Sequence, residues 1–543
     1  MKASDAFVAE LKRHGVNRIF GLPGEENLDL LDSIARFRIP FIVTRHEQAA
    51  GFMAATVGRL TGKTGVALST LGPGATNFTT PSAYANLGAM PVLFITGQKS
   101  NAFRKQGNFQ IIDAVKMFTP LTKFSASIET ADTLVPLVRQ ALATAERERP
   151  GAVHLELPEN IASENAPKIP EAPTTKETPV CPNSTTLASA VKTLHGAKRP
   201  VILIGMHANQ SSIAKELALF IEETGIPFVT TQMGKGVMRE DHPLYLGTTA
   251  ITSGDCVHTL IHNADVVLCV GHDVIEKPPF VRRGAMPVLI HLSFSKAGNE
   301  PVYAPEIEVV GDIALGLQAL RGELAGKKSW ESVWFSEGKK EMDARIGEQG
   351  DSPLFPLLPQ RIVADVRNAM PENGIVTLDN GMYKLWFARS YRAFLPNTLL
   401  LDNALATMGA GLPSAIASKL VYPKRKVLAV CGDGGFMMSS AELETAVRLR
   451  LDLVVVVIRD DGFGMIQWKQ QAEGLKKFGL SYSNPDFALY AKSFGAKGYR
   501  VTKTKEFLPL LKKALGQKGV SLIEVPVDYS ENAKVFTKLV KQS

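Results

Sequence analysis

Four cysteines are all this 543-residue chain contains, and Cys181, Cys256, Cys269 and Cys431 share no CxxC spacing. That scatter excludes a zinc ribbon and a disulfide framework and fits a reducing compartment. No uninterrupted apolar run approaches the length needed to span a bilayer, and Met1-Lys2-Ala3-Ser4-Asp5-Ala6 enters a helical pattern without an apolar signal core. The expectation is a cytoplasmic protein with no membrane partner. Runs of five or more Lys or Arg are also missing, and a formal charge of +8 is modest at this length, so nucleic acid is not an expected partner either.

With 45% hydrophobic and 21% charged residues, the length suits about three domains of ordinary globular composition. Residues 1–162 alternate helical and strand patterns: 18–20, 39–43, 66–69 and 92–96 read as strands, and Gly21-Leu22-Pro23-Gly24 as a turn. Pro167, Pro170, Pro173, Pro179 and Pro182 mark residues 163–186 as a linker. A second α/β pattern fills 187–325, with strands over 201–204, 227–231 and 264–270 and an amphipathic helix over 213–224. Gly205 and Gly271 follow two of those strands, but no GxGxxG opens a helix there, so support for a bound dinucleotide is weak. A polar helical connector, 326–352, leads to a third unit, 353–543. The fold class is α/β, with doubly wound parallel sheets.

In the third unit, Lys426-Val427-Leu428-Ala429-Val430 suits a strand buried on both faces. Cys431-Gly432-Asp433-Gly434-Gly435-Phe436 then reads as a tight glycine turn, where residues lacking Cβ tolerate positive φ and admit a ligand closely. An amphipathic helix over 439–446 and an apolar strand over 453–458 carry the chain to Arg459-Asp460-Asp461-Gly462. Such a crossover returns Asp460 to the same carboxyl edge as Asp433, where open α/β sheets bind ligands. Two carboxylates and the Gly462 carbonyl make a hard oxygen set for Mg²⁺. Gly-Asp-Gly alone equally describes an ordinary turn with solvated aspartates.

The whole stretch resembles the motif of the thiamin-diphosphate-dependent enzymes, which opens Gly-Asp-Gly and closes about 25 to 30 residues later at an Asn or Asp that binds the metal. Gly432-Asp433-Gly434 opens it here, and Asp460 closes it with Asp in place of the more usual Asn. The resemblance covers essentially the whole chain and points to the acetolactate synthases, the large subunits of acetohydroxyacid synthase, above all their flavin-independent fermentative branch. It implies three doubly wound parallel-sheet domains: pyrimidine-binding (1–162), middle (187–325) and diphosphate- and Mg-binding (353–543). It also implies thiamin diphosphate and Mg²⁺, with Asp433, Asp460 and Gly462 on the metal.

Arg45-His46-Glu47-Gln48-Ala49-Ala50 looks like the family segment that carries the activating glutamate. That would make Glu47 the group that hydrogen-bonds N1′ of the aminopyrimidine and lets this nitrogen take the C2 proton, a role suited to a buried carboxylate with a raised pKa. On position alone, Glu47 is also an ordinary first-turn acid of a helix. By the same resemblance Pro23, Gly72, Pro73, Asn77, Asn380, Gly381 and Met382 meet the cofactor, as do Gly434, Gly435, Phe463, Gly464 and Met465. Met408 matches the apolar wedge that bends the cofactor into its V shape. Phe109, Gln110 and Lys123 match the catalytic groups at the substrate end. Ile466, Trp468 and Lys469 match the substrate pocket, although Trp468 falls one position before the tryptophan that favours 2-oxobutyrate in acetohydroxyacid synthases. Glu25-Glu26 stands where those synthases commonly carry small residues, with no effect that the sequence fixes.

Biosynthetic acetohydroxyacid synthases bind FAD in the middle domain and the fermentative enzymes do not. The segment from Val270 to Pro279 is similar to the flavin-free branch, which weighs against FAD. The implied reaction decarboxylates pyruvate and joins its two-carbon remainder to a second 2-oxo acid, giving acetolactate. Family members build the site at a subunit interface, so a homodimer or homotetramer is expected, with small 2-oxo acids as the other partners. Three alternatives stay open: a 2-oxo acid decarboxylase, against which the absence of paired adjacent histidines counts; a carboligase using another acceptor such as glyoxylate; and a non-catalytic partner subunit.

Overall fold

The computed structural model describes residues 1–102, 109–167, 179–249, 251, 256–276, 287–298, 303–324, 330–331 and 333–532. The chain divides into two compact units. One comprises residues 1–177 with 404–424 and 437–451, the other residues 178–403 with 425–436 and 452–543. Among the described residues the strands make three six-stranded sheets, and every pairing within them is parallel. No described helix is long and apolar enough to cross a membrane.

The first unit holds β1 (Ile19–Gly21), β2 (Phe41–Val43), β3 (Gly65–Ser69), β4 (Val92–Gln98), β5 (Phe124–Ser127) and β6 (Ala152–Pro158), in the order β2-β1-β3-β4-β6-β5. β3, β4 and β6 are buried at every residue. Val66–Leu68 and Val92–Ile95 read as apolar runs for that reason, whereas β6 carries His154 and Glu156 among its apolar residues and goes unread in the sequence. The helix Glu47–Thr61, nearly all of it buried, packs against β3 and against the helix Gly411–Val421, with Thr56 donating to Ser414 at 3.0 Å.

The second unit carries two sheets. β7 (Pro200–Ile204), β8 (Phe228–Thr230), β9 (Tyr245–Thr248), β10 (Val266–Val270), β11 (Val288–Ser293) and β12 (Ile307–Val310) run β12-β11-β10-β7-β8-β9. β13 (Ile375–Leu378), β14 (Leu399–Leu400), β15 (Val427–Gly432), β16 (Val454–Arg459), β17 (Lys497–Arg500) and β18 (Ser521–Pro526) run β14-β13-β15-β16-β18-β17, repeating the order of the first unit's sheet. Each sheet therefore has an inner place where successive connections leave to opposite sides: β1/β3, β7/β10 and β13/β15. Ligands of open parallel sheets bind at such places, beyond the strands' carboxyl ends.

A buried ion pair ties the middle of the chain to the segment before β14. Lys235 donates to Glu240 at 2.8 Å and to Thr248 at 3.1 Å, with side chains only 1% and 0% exposed, and the same Glu240 oxygen accepts the Ala393 amide at 2.8 Å. Burial raises the Glu240 carboxyl and lowers the Lys235 ammonium, each against the pull of its partner. Lys235→Met leaves that carboxylate uncompensated and is expected to cost about 3–5 kcal/mol of stability. Denaturant unfolding checks this, and the further change Glu240→Leu should recover much of the loss; a Lys235→Met loss below about 1 kcal/mol would deny the pair its role.

Candidate active site

In the first unit, the β1/β3 edge gathers the loops after β1, β2 and β3. β2 ends at Val43, and the chain reaches Glu47, the first residue of its helix, through Thr44, Arg45 and His46. His46 caps that helix, its Nδ1 accepting the Gln48 amide at 3.1 Å. The Glu47 carboxylate accepts from Asn77 Nδ2 at 2.9 Å, joining the loop after β3 to the helix after β2. Glu47 is half-buried rather than buried. Among the described residues, Asn77 Nδ2 is the donor on that carboxylate.

Gly72 has φ +51°, and a Cβ there would stand 2.7 Å from the Gln110 carbonyl oxygen, so conformation and close approach both call for glycine. That approach places Gln110, itself at φ 58°, beside the Gly72–Pro73 turn. Phe109 is 77% exposed, and Pro23 is exposed as well. Met408 is half-buried; a Cβ on the next residue, Gly409, would lie 3.8 Å from Gln48 Nε2, which sets this loop beside the start of the Glu47 helix. Glu26 is buried and committed elsewhere, accepting from Lys99 at 2.7 Å and Thr70 at 2.5 Å, while Glu25 is exposed.

In the second unit, the β13/β15 edge centres on Asp433, 1% exposed. Its Oδ1 accepts from the Gly434 amide and the Tyr482 hydroxyl, both at 2.8 Å. Its Oδ2 accepts from the amides of Asp460 (3.2 Å) and Asp461 (2.8 Å) and from Asn484 Nδ2 (2.8 Å). Tyr482 also donates to the Gly462 carbonyl at 3.1 Å, so one hydroxyl touches two of the three expected metal donors. The Asp460 carboxyl is pushed up to about 8, first by burial and then by the Asp433 charge beside it. Two carboxylates held this close in a desolvated place gain from a cation between them.

Among the described residues no group of three or more His, Cys, Asp or Glu side chains is placed to hold a metal. The donor set is two carboxylates and a carbonyl, which fits Mg²⁺: that ion keeps open positions for water and phosphate oxygens. Asn380 and Gly381 follow β13 on the neighbouring loop, and Met382, buried, opens the helix Met382–Ser390. Asn380 Oδ1 accepts from Lys384 at 2.6 Å, and Lys384, buried, also donates to the Asp402 carbonyl at 2.9 Å. Lys384 therefore serves the loop's own structure.

The glycines of this motif act differently from the sequence expectation. β15 runs directly into the helix Asp433–Ser439, and neither Gly432 nor Gly435 has positive φ. Space is what they lack. A Cβ at Gly432 would meet the Tyr383 ring at 3.0 Å, and one at Gly435 the Asp379 carboxyl at 3.0 Å. Tyr383, buried, accepts the Gly432 amide at 2.9 Å and so helps fix the strand end.

A cavity of about 320 Å³ opens beside Asp460, lined by Gly464, Gln467, Trp468 and Gln471 of the helix Gly464–Ala472 and by Val527 to Ser530 and Asn532. Of the expected pocket residues only Trp468 lines it. Ile466 and Lys469 are exposed and not among its walls, because positions 464, 467, 468 and 471 share one face of the helix while 466 and 469 turn away. Phe463 stacks edge-on against Tyr482 at 5.1 Å, and Met465 is half-buried.

Lys123 needs a similar correction. It precedes β5, its amide bonds the Ala152 carbonyl at the start of β6, and its Nζ reaches the Arg147 carbonyl at 2.6 Å. That is the amino edge of a parallel sheet, opposite the loops that carry Glu47 and Asn77. Lys105 to Asn108, Lys277 to Pro279 and residues 168–178 of the linker lie outside the described residues.

Residues 1–117 match the N-terminal TPP binding domain of thiamine pyrophosphate enzymes, 187–320 their central domain and 379–525 their C-terminal TPP binding domain. The chain is 32% identical over 546 residues to the catabolic acetolactate synthase of Raoultella terrigena, covering 99% of this chain and 97% of that one. The chain belongs to the thiamin diphosphate (thiamine pyrophosphate) enzyme family. It is also 33% identical to an acetolactate synthase of Bacillus subtilis, covering 100% and 96% of the two chains, and 31% identical to a probable acetolactate synthase large subunit of Methanocaldococcus jannaschii, covering 98% and 93%. The protein is a thiamin-diphosphate-dependent enzyme, and the two edges described lie within the segments that match its family's TPP binding domains.

Proposed function

We propose that this enzyme is an Mg²⁺-dependent acetolactate synthase that decarboxylates pyruvate and joins the two-carbon remainder to a second 2-oxo acid. The observation that carries the reading is the end-to-end likeness to acetolactate synthases, with Glu47 and the Asp433–Asp460 pair in place. Thiamin diphosphate, when bound, supplies the nucleophilic carbon and the electron sink. Residues 1–162 would receive its pyrimidine, where Glu47, oriented by Asn77, would share a proton with the ring nitrogen N1′. Residues 353–543 would receive its diphosphate, with Asp433, Asp460 and the Gly462 carbonyl as the groups that would hold the cation. Gln110 at the Gly72–Pro73 turn and Trp468 in its cavity are the side chains we assign to the substrate.

The reading includes a homo-oligomer that completes the site across a subunit interface, a cytoplasmic location and no flavin. The β7/β10 edge supports the last point. There a Cβ on Gly205 would fall 2.4 Å from the His272 Cα, and one on Gly271 would fall 2.7 Å from the Ala208 amide, so the loops after β7 and β10 pack directly against each other at the edge where a dinucleotide would approach.

The test is pyruvate turnover by purified protein with thiamin diphosphate and Mg²⁺ and no added flavin, with acetolactate and acetaldehyde measured together. Acetolactate as the main product is the expected result. Acetaldehyde in its place would make the enzyme a decarboxylase, and no turnover would refute pyruvate as donor.

A further inference from the structure

We propose that Glu442 is a positioning residue for Glu47, acting through the backbone that leads into the Glu47 helix. Glu442 opens the helix Glu442–Arg448 in the first unit and is 1% exposed. Its Oε1 accepts two consecutive amides, Arg45 at 2.9 Å and His46 at 3.2 Å, from a segment 397 residues away in sequence. Its Oε2 accepts the Thr445 hydroxyl at 2.6 Å. Buried charge is costly unless its lone pairs are met, and here the donors are these three groups rather than a cation. Burial raises this carboxyl above its ordinary value while those donors pull it back.

The far end of the same helix grips the same segment with opposite polarity: Arg448 donates to the Val43 carbonyl. The helix thus brackets residues 43–46, accepting their amides with an anion and feeding their carbonyl with a cation. Within the bracketed segment Thr44 bonds the Gly21 carbonyl through its amide and the His46 carbonyl through its hydroxyl, and His46 caps the next turn. Glu47 is the first residue beyond. Asn77 holds its carboxylate, but the direction of its Cα–Cβ bond is set by the backbone that Glu442 holds. Proton sharing with a ring nitrogen depends on that direction, and a displacement near 1 Å can cost roughly a hundredfold in rate.

The inference rests on the assignment of Glu47 to proton sharing, not on acetolactate as product. Two readouts test it. In the cofactor-free protein, Glu442→Ala should raise amide hydrogen exchange across residues 43–50 while exchange in β3 and β4 stays as in wild type. In the assembled holoenzyme, exchange of the thiamin C2 proton with solvent should slow by roughly tenfold or more, with thiamin diphosphate and Mg²⁺ affinities within about twofold of wild type. Glu442→Gln keeps an oxygen at the Oε1 position and should recover most of the C2 exchange; Glu442→Asp withdraws the acceptor by one methylene and should not. C2 exchange at the wild-type rate in Glu442→Ala would overturn the proposal, as would equal loss in the Gln and Asp variants, which would mark a purely structural carboxylate. Should the Ala variant fail to fold, the Gln and Asp pair decides. C2 exchange needs no acceptor, so a wild-type enzyme that makes no acetolactate would fail the functional reading and leave this test standing.

Discussion

Glu47→Gln is expected to lower pyruvate turnover by roughly 10² to 10⁴-fold, the range lost when a positioned acid–base group is removed. The substitution is nearly isosteric. An amide oxygen still accepts from Asn77, which now lies 2.9 Å from the carboxylate, so the local geometry should persist. What disappears is the capacity to hold a negative charge and share a proton with N1′. The loss should therefore appear in kcat and in the rate of thiamin C2 proton exchange, while the affinity for thiamin diphosphate, measured by calorimetric titration, changes by only a few-fold. A variant that retained more than about a tenth of wild-type turnover would remove Glu47 from the chemistry. Asn77→Ala should produce the milder form of the same defect, because the carboxylate remains but loses its orienting donor.

Much of the architecture was legible because parallel strands buried on both faces are written as unbroken apolar runs, as 92–95 and 454–458 are. Asp433 and Asp460 were legible for the same reason, since each stands at the end of such a run. The reason for the glycines between them was not. Gly432 and Gly435 are required by Tyr383 and Asp379, side chains about fifty residues upstream, and local turn chemistry says nothing of that.

Tyr482, Asn484 and Glu442 escaped notice on similar grounds. Ser-Tyr-Ser-Asn-Pro-Asp reads as a loop by composition, and only the fold brings it back across 49 and 51 residues to the Asp433 carboxylate. Lys123 was misplaced for the opposite reason. It is near Gln110 in sequence, yet the intervening chain crosses from the carboxyl to the amino edge of the sheet, a distance that residue spacing conceals. Ile466 and Lys469 show the remaining ambiguity: a motif gives their proximity to the metal loop, and helical phase then points them away from the cavity.

The second large effect concerns the acid at position 460, where the family more often has Asn. Asp460, pushed up to about 8, holds its proton at neutral pH, and a cation must displace that proton to use both oxygens. With thiamin diphosphate saturating, Mg²⁺ affinity should fall by roughly tenfold per pH unit as pH drops from about 8 to about 6. The same shift has the opposite sign for the cofactor-free fold. Above about pH 4 an unfolded aspartate has lost its proton, whereas the folded one keeps it until about 8, so the folded state binds more protons in that window and its stability declines as pH rises through it. Added Mg²⁺ should reverse that decline, most at the alkaline end.

Asp460→Asn separates this account from a generic pH effect. The amide keeps an oxygen for the cation and removes the titrating group and its repulsion with Asp433. Calorimetric Mg²⁺ titration across the same range should then give a nearly flat affinity, and the thermal midpoint of the cofactor-free variant should lose its downward slope with pH. If the variant kept the wild-type slope in both measurements, the proton would belong to another group, and the two carboxylates would not be the cation's seat.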